Sequence, residues 1–277
     1  NGQLDLAIQI FTNTYSRPFM HQLVSGQIDV DRLDYLKRDS FYTGVTEGNI
    51  NSDRIIAMME VVNDSLVFEE KGVHSLEKFL LARRLMYWQV YLHKTSLAAE
   101  LILVKILERF RSLVINGKEQ LLQTHVLYPL IYLDIEKSLP EKVLVHYLSL
   151  EDADILHLLK TWMSHPDPVL SHLSKQIMHR ELPKIKIQNE PFSHKQLTKK
   201  LKHIENLGLQ EEEKSYFIFT GSVSNQTYVA DHSQILLKNK SGSSAPLAET
   251  IDYLDFNQFS KPIYRYYLCY PKANYSL

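Results

Sequence analysis

The chain has 277 residues, 44% of them hydrophobic, with 31 Lys and Arg against 32 Asp and Glu. That length supports a sizeable core and two domains, and the near-zero net charge gives no global drive toward nucleic acid or an anionic membrane. A single cysteine, Cys269, excludes an internal disulfide framework or a zinc-finger set, and no apolar run reaches the roughly 18 residues of a membrane span, so a cytoplasmic location is expected.

Residues 3–24 read as helix, interrupted near Pro18. The next segment, 30–43, is an amphipathic helix with two faces. Asp31, Tyr35, Arg38 and Asp39 fall on one side at i, i+4, i+7 and i+8, and Val30, Leu33 and Leu36 on another. A carboxylate, a phenol, a guanidinium and a second carboxylate on one side can hold a metal ion, a phosphate and a hydroxyl in a small volume; the same pattern also describes a solvated face with i, i+4 charge pairs. Residues 60–69 alternate around Asn63-Asp64 and predict a β-hairpin.

A long helix is expected from about Leu76 to Leu113, stopping at Asn116-Gly117. Arg83, Tyr87, Tyr91 and Lys94 share one of its faces, and Leu81, Leu85, Trp88, Leu92 and Ala99 the other. Tyr87 and Tyr91 read by themselves as packing residues with hydroxyls at the rim. Past Ala98 the run Leu101–Val104, Ile106, Leu107 is apolar on more than one side and predicts burial all round. Further helices are expected near 118–135, 140–148, 151–164 and 167–180, with Pro140, Pro166 and Pro168 at their starts. His165, His172 and His179 recur at i+7, too widely spaced along an axis for a metal site.

After Pro183 the pattern changes. Residues 185–188 alternate like a strand, Ser193 to Gln196 forms a capping box for a Lys-rich helix to about Leu207, and strands are expected at 215–219, 227–229, 234–237 and 262–270. Lys240 to Ser244 reads as a mobile loop. Lys184, Lys186, Lys195, Lys199, Lys200 and Lys202 make a basic cluster, read as a solvated face. The domains expected are 1–182, mainly helical, and 183–277, an α+β lobe.

The string Ile28-Asp29-Val30-Asp31-Arg32-Leu33-Asp34-Tyr35, followed by Arg38-Asp39 and Tyr42-Thr43-Gly44-Val45, resembles one segment of the HD-domain phosphohydrolases, and within them the deoxynucleoside triphosphate triphosphohydrolase branch of sterile-alpha-motif-and-HD relatives. Arg83 and the string Tyr91-Leu92-His93-Lys94 support the match, although Leu92 stands where a polar residue is usual. The resemblance implies a mainly α, HD-like helical bundle with a small β-hairpin and a C-terminal α+β lobe. It implies a divalent metal ion (Mg, Mn, Fe, Ni or Zn) with Asp31 as a ligand, Arg32, Tyr35 and Arg83 on a triphosphate, Asp39 on a sugar 3′-hydroxyl, and Tyr91 on the nucleotide. The activity implied is hydrolysis of a deoxynucleoside triphosphate to nucleoside and triphosphate; the other reading is a catalytically inactive HD relative that senses nucleotides or scaffolds partners. Family members commonly self-associate, which implies a homo-oligomer, a dimer at least; a membrane or nucleic-acid partner is not expected.

The family's first histidine and its His-Asp dipeptide lie farther upstream than the thirty residues preceding Asp31 allow, and none of the twelve histidines here is followed by Asp. The catalytic residues proper are thus expected upstream of Asn1. A start without Met that falls directly into an apolar helical pattern (Leu4, Ile8, Phe11) favours an incomplete N-terminus over a degenerate relative.

Overall fold

The computed structural model describes residues 2–120, 125–133, 140–202, 204–205, 208–225, 234–250 and 261–272. In chain order its elements are α1 (Asp5–Phe11), α2 (Pro18–Ser25), α3 (Val30–Thr43), α4 (Ser52–Ala57), β1 (Met59–Val62), β2 (Ser65–Glu69), α5 (Val73–Met86), a π-helical turn (Tyr87–Tyr91), α6 (Lys94–Ile115), α7 (Tyr128–Ile131), α8 (Glu141–Leu148), α9 (Asp152–Trp162), α10 (Pro168–Met178), β3 (Lys184–Gln188), α11 (His194–Leu201), α12 (Glu211–Lys214), β4 (Phe219–Asn225), β5 (Leu236–Lys238), β6 (Ser244–Pro246), α13 (Leu247–Thr250) and β7 (Ile263–Tyr270). The fold is mainly α with two small sheets, as the sequence predicts. Among the described residues no helix is long and apolar enough to cross a membrane.

By compactness the chain divides elsewhere than between 182 and 183. One unit joins residues 1–93 with 223–264, and the other joins 94–222 with 265–277. The split is discontinuous because β5 hydrogen-bonds to β2, far earlier in sequence, while β7 pairs with β3.

In the first unit, α3 begins and ends where its sequence dictates. The Asp29 side chain accepts from the Arg32 backbone N–H as N-cap, and Gly44 closes the helix at φ 71°, a left-handed conformation that favours glycine. The hairpin forms on the expected turn: Val62 faces Ser65, and Asn63 and Asp64 both have positive φ, 50° and 59°, the geometry that matches strand twist. The sheet runs β1-β2-β5-β6, with β2 and β5 parallel. Its core joins Leu33 and Leu36 of α3 to Leu76, Phe79, Leu80 and Met86 of α5. Gly48 belongs to this packing: a Cβ there would lie 2.5 Å from Met86 Sδ and 3.0 Å from Ser40 Cβ, so only glycine lets this turn seat against α3 and α5. The loop expected to be mobile at 240–244 is a tight turn into β6, closed by Asn239 N–H to Ser243 O (2.9 Å) and Ser243 N–H to Asn239 Oδ1 (3.0 Å).

The long helix predicted over 76–113 is two helices. No Gly or Pro marks the break, so the apolar periodicity runs straight through it. The apolar face is also shifted: Leu81 is 48% exposed, and Leu76, Phe79, Leu80, Ala82 and Met86 form the buried stripe. Nor is α6 buried all round. Ile102, Ile106, Phe110, Leu113 and Val114 face a core, while Val104 is 46% exposed.

That second core gathers α6, α9 and α10 through Phe110, Trp162, Leu170 and Leu173. Arg109, 7% exposed, donates to Asp167 (3.0 and 2.6 Å) and Glu213 (2.8 Å), and Asp167 also caps α10 through Leu170 N–H. The capping boxes at Glu151 and Ser193 are both formed. The Lys-rich helix ends at Leu201, and residues 203, 206 and 207 lie outside the described residues. The strand expected at 215–219 is instead the turn after α12, and β4 starts at Phe219; Glu211-Glu212-Glu213 under a Gln210 cap favours helix there. The expected strand 227–229 and parts of the expected helix 118–135 lie outside the described residues, and α7 is the helix described within the latter. The three histidines are separately engaged: His165 bonds Glu119 and Asp167 N–H, His172 packs edge-on to Phe217, and His179 caps α10. Of the lysines, Lys200 lies 3.7 Å from the centroid of the Tyr270 ring.

Candidate functional site

Two stretches distant in sequence meet in the first unit, α3 and the α5–π-turn segment. The Tyr91 hydroxyl donates to Asp39 Oδ2 at 2.6 Å across 52 residues of chain. Around this bond the aromatic rings form an edge-to-face series. Tyr35 meets Tyr91 at 6.0 Å between centroids and Tyr87 meets Tyr91 at 5.3 Å, both near perpendicular. Such pairs add stability beyond their buried area and fix ring orientation. The π-turn, closed by Leu92 N–H to Tyr87 O at 2.7 Å, carries both Tyr87 and Tyr91; single π-turns inside helical segments recur at functional sites.

Arg83, one turn before Tyr87, acts electrostatically on Arg32 and Tyr35. Burial, and then the Arg83 charge, lowers the Arg32 pKa below the ordinary guanidinium value. Two cations within reach of one another make a place where added negative charge is favourable. Burial pushes the Tyr35 phenol up against the opposing pull of Arg83 and Arg32, so it remains a proton donor at neutral pH. Burial and then the bond to Asp39 raise the Tyr91 phenol likewise.

Arg32 is only partly turned to this cluster. Its Nη1 donates to Gly26 O at 2.9 Å and pairs with Asp29, which is 2% exposed, so part of its charge secures the start of α3. Arg38 does not join the cluster as helical spacing suggested: it is exposed and pairs with Asp34 through two 3.0 Å bonds. Lys94 begins α6, beyond the break. Asp31 is exposed on the first turn of α3, one turn before Tyr35. Among the described residues no group of three or more His, Cys, Asp or Glu is placed to hold a metal ion, so the residues described here do not by themselves build a metal centre around Asp31. Tyr87, placed by helical spacing on the face of Arg83 and Tyr91 but read as a packing residue, joins the cluster, and Asp29, present in the sequence only as part of the resembling string, secures the start of α3. Tyr87 sits four residues before Tyr91, the one available signal; Asp29 has the N-cap position of a helix with an acidic first turn.

Two open clefts of this unit fall outside the cluster. One, about 700 Å³, is lined by Lys37, Arg38, Phe41, Tyr42 and Thr46 among others, and the second, about 870 Å³, by Glu60, Glu69, Lys71 and Lys238 among others. In the second, Lys71 pairs with Glu69 and Lys238 with Glu60.

Residues 50–124 match the family model described as "HD associated region". An uncharacterized protein of Bacillus subtilis, YwfO, is 36% identical over 159 residues, 57% of this chain and 35% of its own length. A Dictyostelium discoideum protein named as a deoxynucleoside triphosphate triphosphohydrolase SAMHD1 homolog is 29% identical over 90 residues, 31% of this chain and 17% of its own length. This chain therefore spans about a third or less of the length of those two relatives. Among solved structures, a phosphohydrolase of Bacteroides thetaiotaomicron superposes with a TM-score of 0.89 at 46% identity, over 98% of this chain and 68% of that one. A hypothetical protein of Aquifex aeolicus shares the fold, with a TM-score of 0.62 at 19% identity over 96% of this chain and 61% of its own. With the HD-associated region matched and nearly the whole chain aligned at this identity to a phosphohydrolase, the chain belongs to the HD phosphohydrolase family.

Proposed function

We propose that the full-length protein hydrolyses deoxynucleoside triphosphates to nucleoside and triphosphate. The observation that carries this reading is the meeting of the Asp39 carboxylate with the protonated Tyr91 and Tyr35 phenols and two neighbouring guanidiniums on α3 and the α5–π-turn segment. A polyphosphate brings negative charge to the place where Arg32 and Arg83 act on one another, and Arg83 carries the planar fork that matches phosphate oxygens. Tyr35 donates to a phosphate oxygen, while Asp39 accepts from the sugar 3′-hydroxyl and fixes the register of the nucleotide. Preformed donors of this kind meet the charge that develops on the leaving triphosphate. The name of the Dictyostelium relative agrees with the substrate class. A divalent metal ion goes with the family reading, with Asp31 as one ligand; the work assigned to the side chains described is binding and orientation.

The test is chromatographic analysis of products after incubating purified full-length protein with each deoxynucleoside triphosphate. Nucleoside and triphosphate in equal amounts are expected. Release of orthophosphate with nucleoside diphosphate would place the cut elsewhere and overturn the substrate pose. Nucleotide binding without hydrolysis would favour the sensing or scaffold reading instead.

A further inference from the structure

The phenol of Tyr91 has one proton, and it is given to Asp39 Oδ2 at 2.6 Å. Phosphate oxygens only accept, so Tyr91 has no donor left for a phosphate while that bond stands. The ring that holds the proton is itself fixed, with Tyr35 and Tyr87 edge-on at 6.0 and 5.3 Å and the π-turn locked by its 2.7 Å backbone bond. An ionised carboxylate, by contrast, rotates about its last bond and offers two oxygens. With Oδ2 held, Oδ1 is left as the acceptor of defined direction. Burial raises the phenol's ionisation above its ordinary range, and donation to Asp39 adds to this, so the donor persists wherever a carboxylate is charged.

We infer that Tyr91 is a positioning residue for Asp39: it ties down Oδ2 so that Oδ1 receives the sugar 3′-hydroxyl, and it is not a phosphate ligand. This rests on the nucleotide reading above and deepens it by naming what sets recognition of the 3′-hydroxyl.

The experiment compares a 2′-deoxynucleoside triphosphate with its 2′,3′-dideoxy counterpart, using the full-length protein and Tyr91→Phe, which keeps the ring and its packing. Wild type is expected to prefer the substrate bearing the 3′-hydroxyl. In Tyr91→Phe, KM for that substrate rises about tenfold while values for the dideoxy substrate stay within about twofold, so the preference collapses. Asp39→Asn lowers the preference as well, and adding Tyr91→Phe to it brings little further loss, because the two act as one unit. Equal weakening of both substrates in Tyr91→Phe would show contact with a group they share and overturn the inference, as would an unchanged preference. A second readout needs no substrate: the Tyr91 hydroxyl proton, observed by NMR, exchanges slowly in wild type and rapidly in Asp39→Leu. Rapid exchange in wild type would remove the bond and the inference with it, whatever the activity. Slow exchange in a protein that neither binds nor hydrolyses either nucleotide would instead overturn the nucleotide reading, and the sugar role assigned to Asp39 would fall with it.

Discussion

Asp29 is the residue on which the start of α3, and so the placement of the cluster, most depends. It is 2% exposed, caps the helix through the Arg32 N–H at 2.8 Å, and forms an ion pair with the Arg32 guanidinium. Losing an N-cap costs about 1 kcal/mol, and losing a hydrogen bond to a charged group about 1.5–3 kcal/mol. The two act through one side chain and do not simply add, so Asp29→Ala is expected to destabilise by about 3 kcal/mol. Asp29→Asn retains a capping oxygen but not the charge, and its cost should be about 1.5–2 kcal/mol. The remaining guanidinium is left beside Arg83 without its counter-charge, so removing it as well should give relief. Asp29→Ala with Arg32→Ala should be less damaging than the sum of the two single changes by about 1.5 kcal/mol. Urea unfolding in a Trp162→Phe background, with Trp88 reporting on the unit that contains α3, measures each value. A loss below about 1 kcal/mol for Asp29→Ala, or strict additivity in the cycle, would refute the reasoning.

Other consequences are as direct. Burial works to raise the Asp167 carboxyl, but hydrogen bonds from Arg109 and Leu170 N–H and the Arg109 charge hold it below the ordinary range. Its contribution is therefore complete at neutral pH and lost as pH falls through the folded value, so the cost of Arg109→Leu, about 3 kcal/mol at pH 7, should shrink below about pH 5 in urea titrations; a cost independent of pH would contradict the network's ionic character. Arg83→Ala in the full-length protein should lower kcat/KM for a deoxynucleoside triphosphate by about 30- to 1000-fold with a melting-temperature change under about 3 °C; unfolding instead of inactivation would assign Arg83 to structure. We further propose that the full-length protein self-associates, and light scattering at micromolar concentration should give at least a dimer mass; a monomer that persists with nucleotide present would count against it.

Local signals were legible in the sequence, and partners distant along the chain were not. The bounds of α3 follow from Asp29 and Gly44, the hairpin from Asn63-Asp64, and α11 from the Ser193–Gln196 box, each a hydrogen-bonding or φ requirement met within a few residues. The π-turn at Tyr87–Tyr91 has no Gly or Pro to announce it, so periodicity extended one helix across two. The register of β2 with β5, Val67 opposite Leu236, depends on a pairing that no window of sequence contains, and with it the discontinuous units. The candidate site divides in the same way. Helical spacing placed Asp31, Tyr35 and Asp39 together, and family resemblance named Arg83 and Tyr91, but neither showed that the Tyr91 proton goes to Asp39, or that Arg38 turns away to Asp34. Those are contacts across or along helices whose choice depends on packing, not on spacing.

The most direct test of the account is a crystal structure of the full-length protein bound to a non-hydrolysable deoxynucleoside triphosphate. The account predicts the sugar 3′-hydroxyl within about 3 Å of Asp39 Oδ1, with Tyr91 still donating to Oδ2, and the Arg83 guanidinium on the phosphates. A nucleotide seated away from α3 and the π-turn, or one whose phosphates lie on Asp39 and whose sugar lies on Arg83, would contradict it.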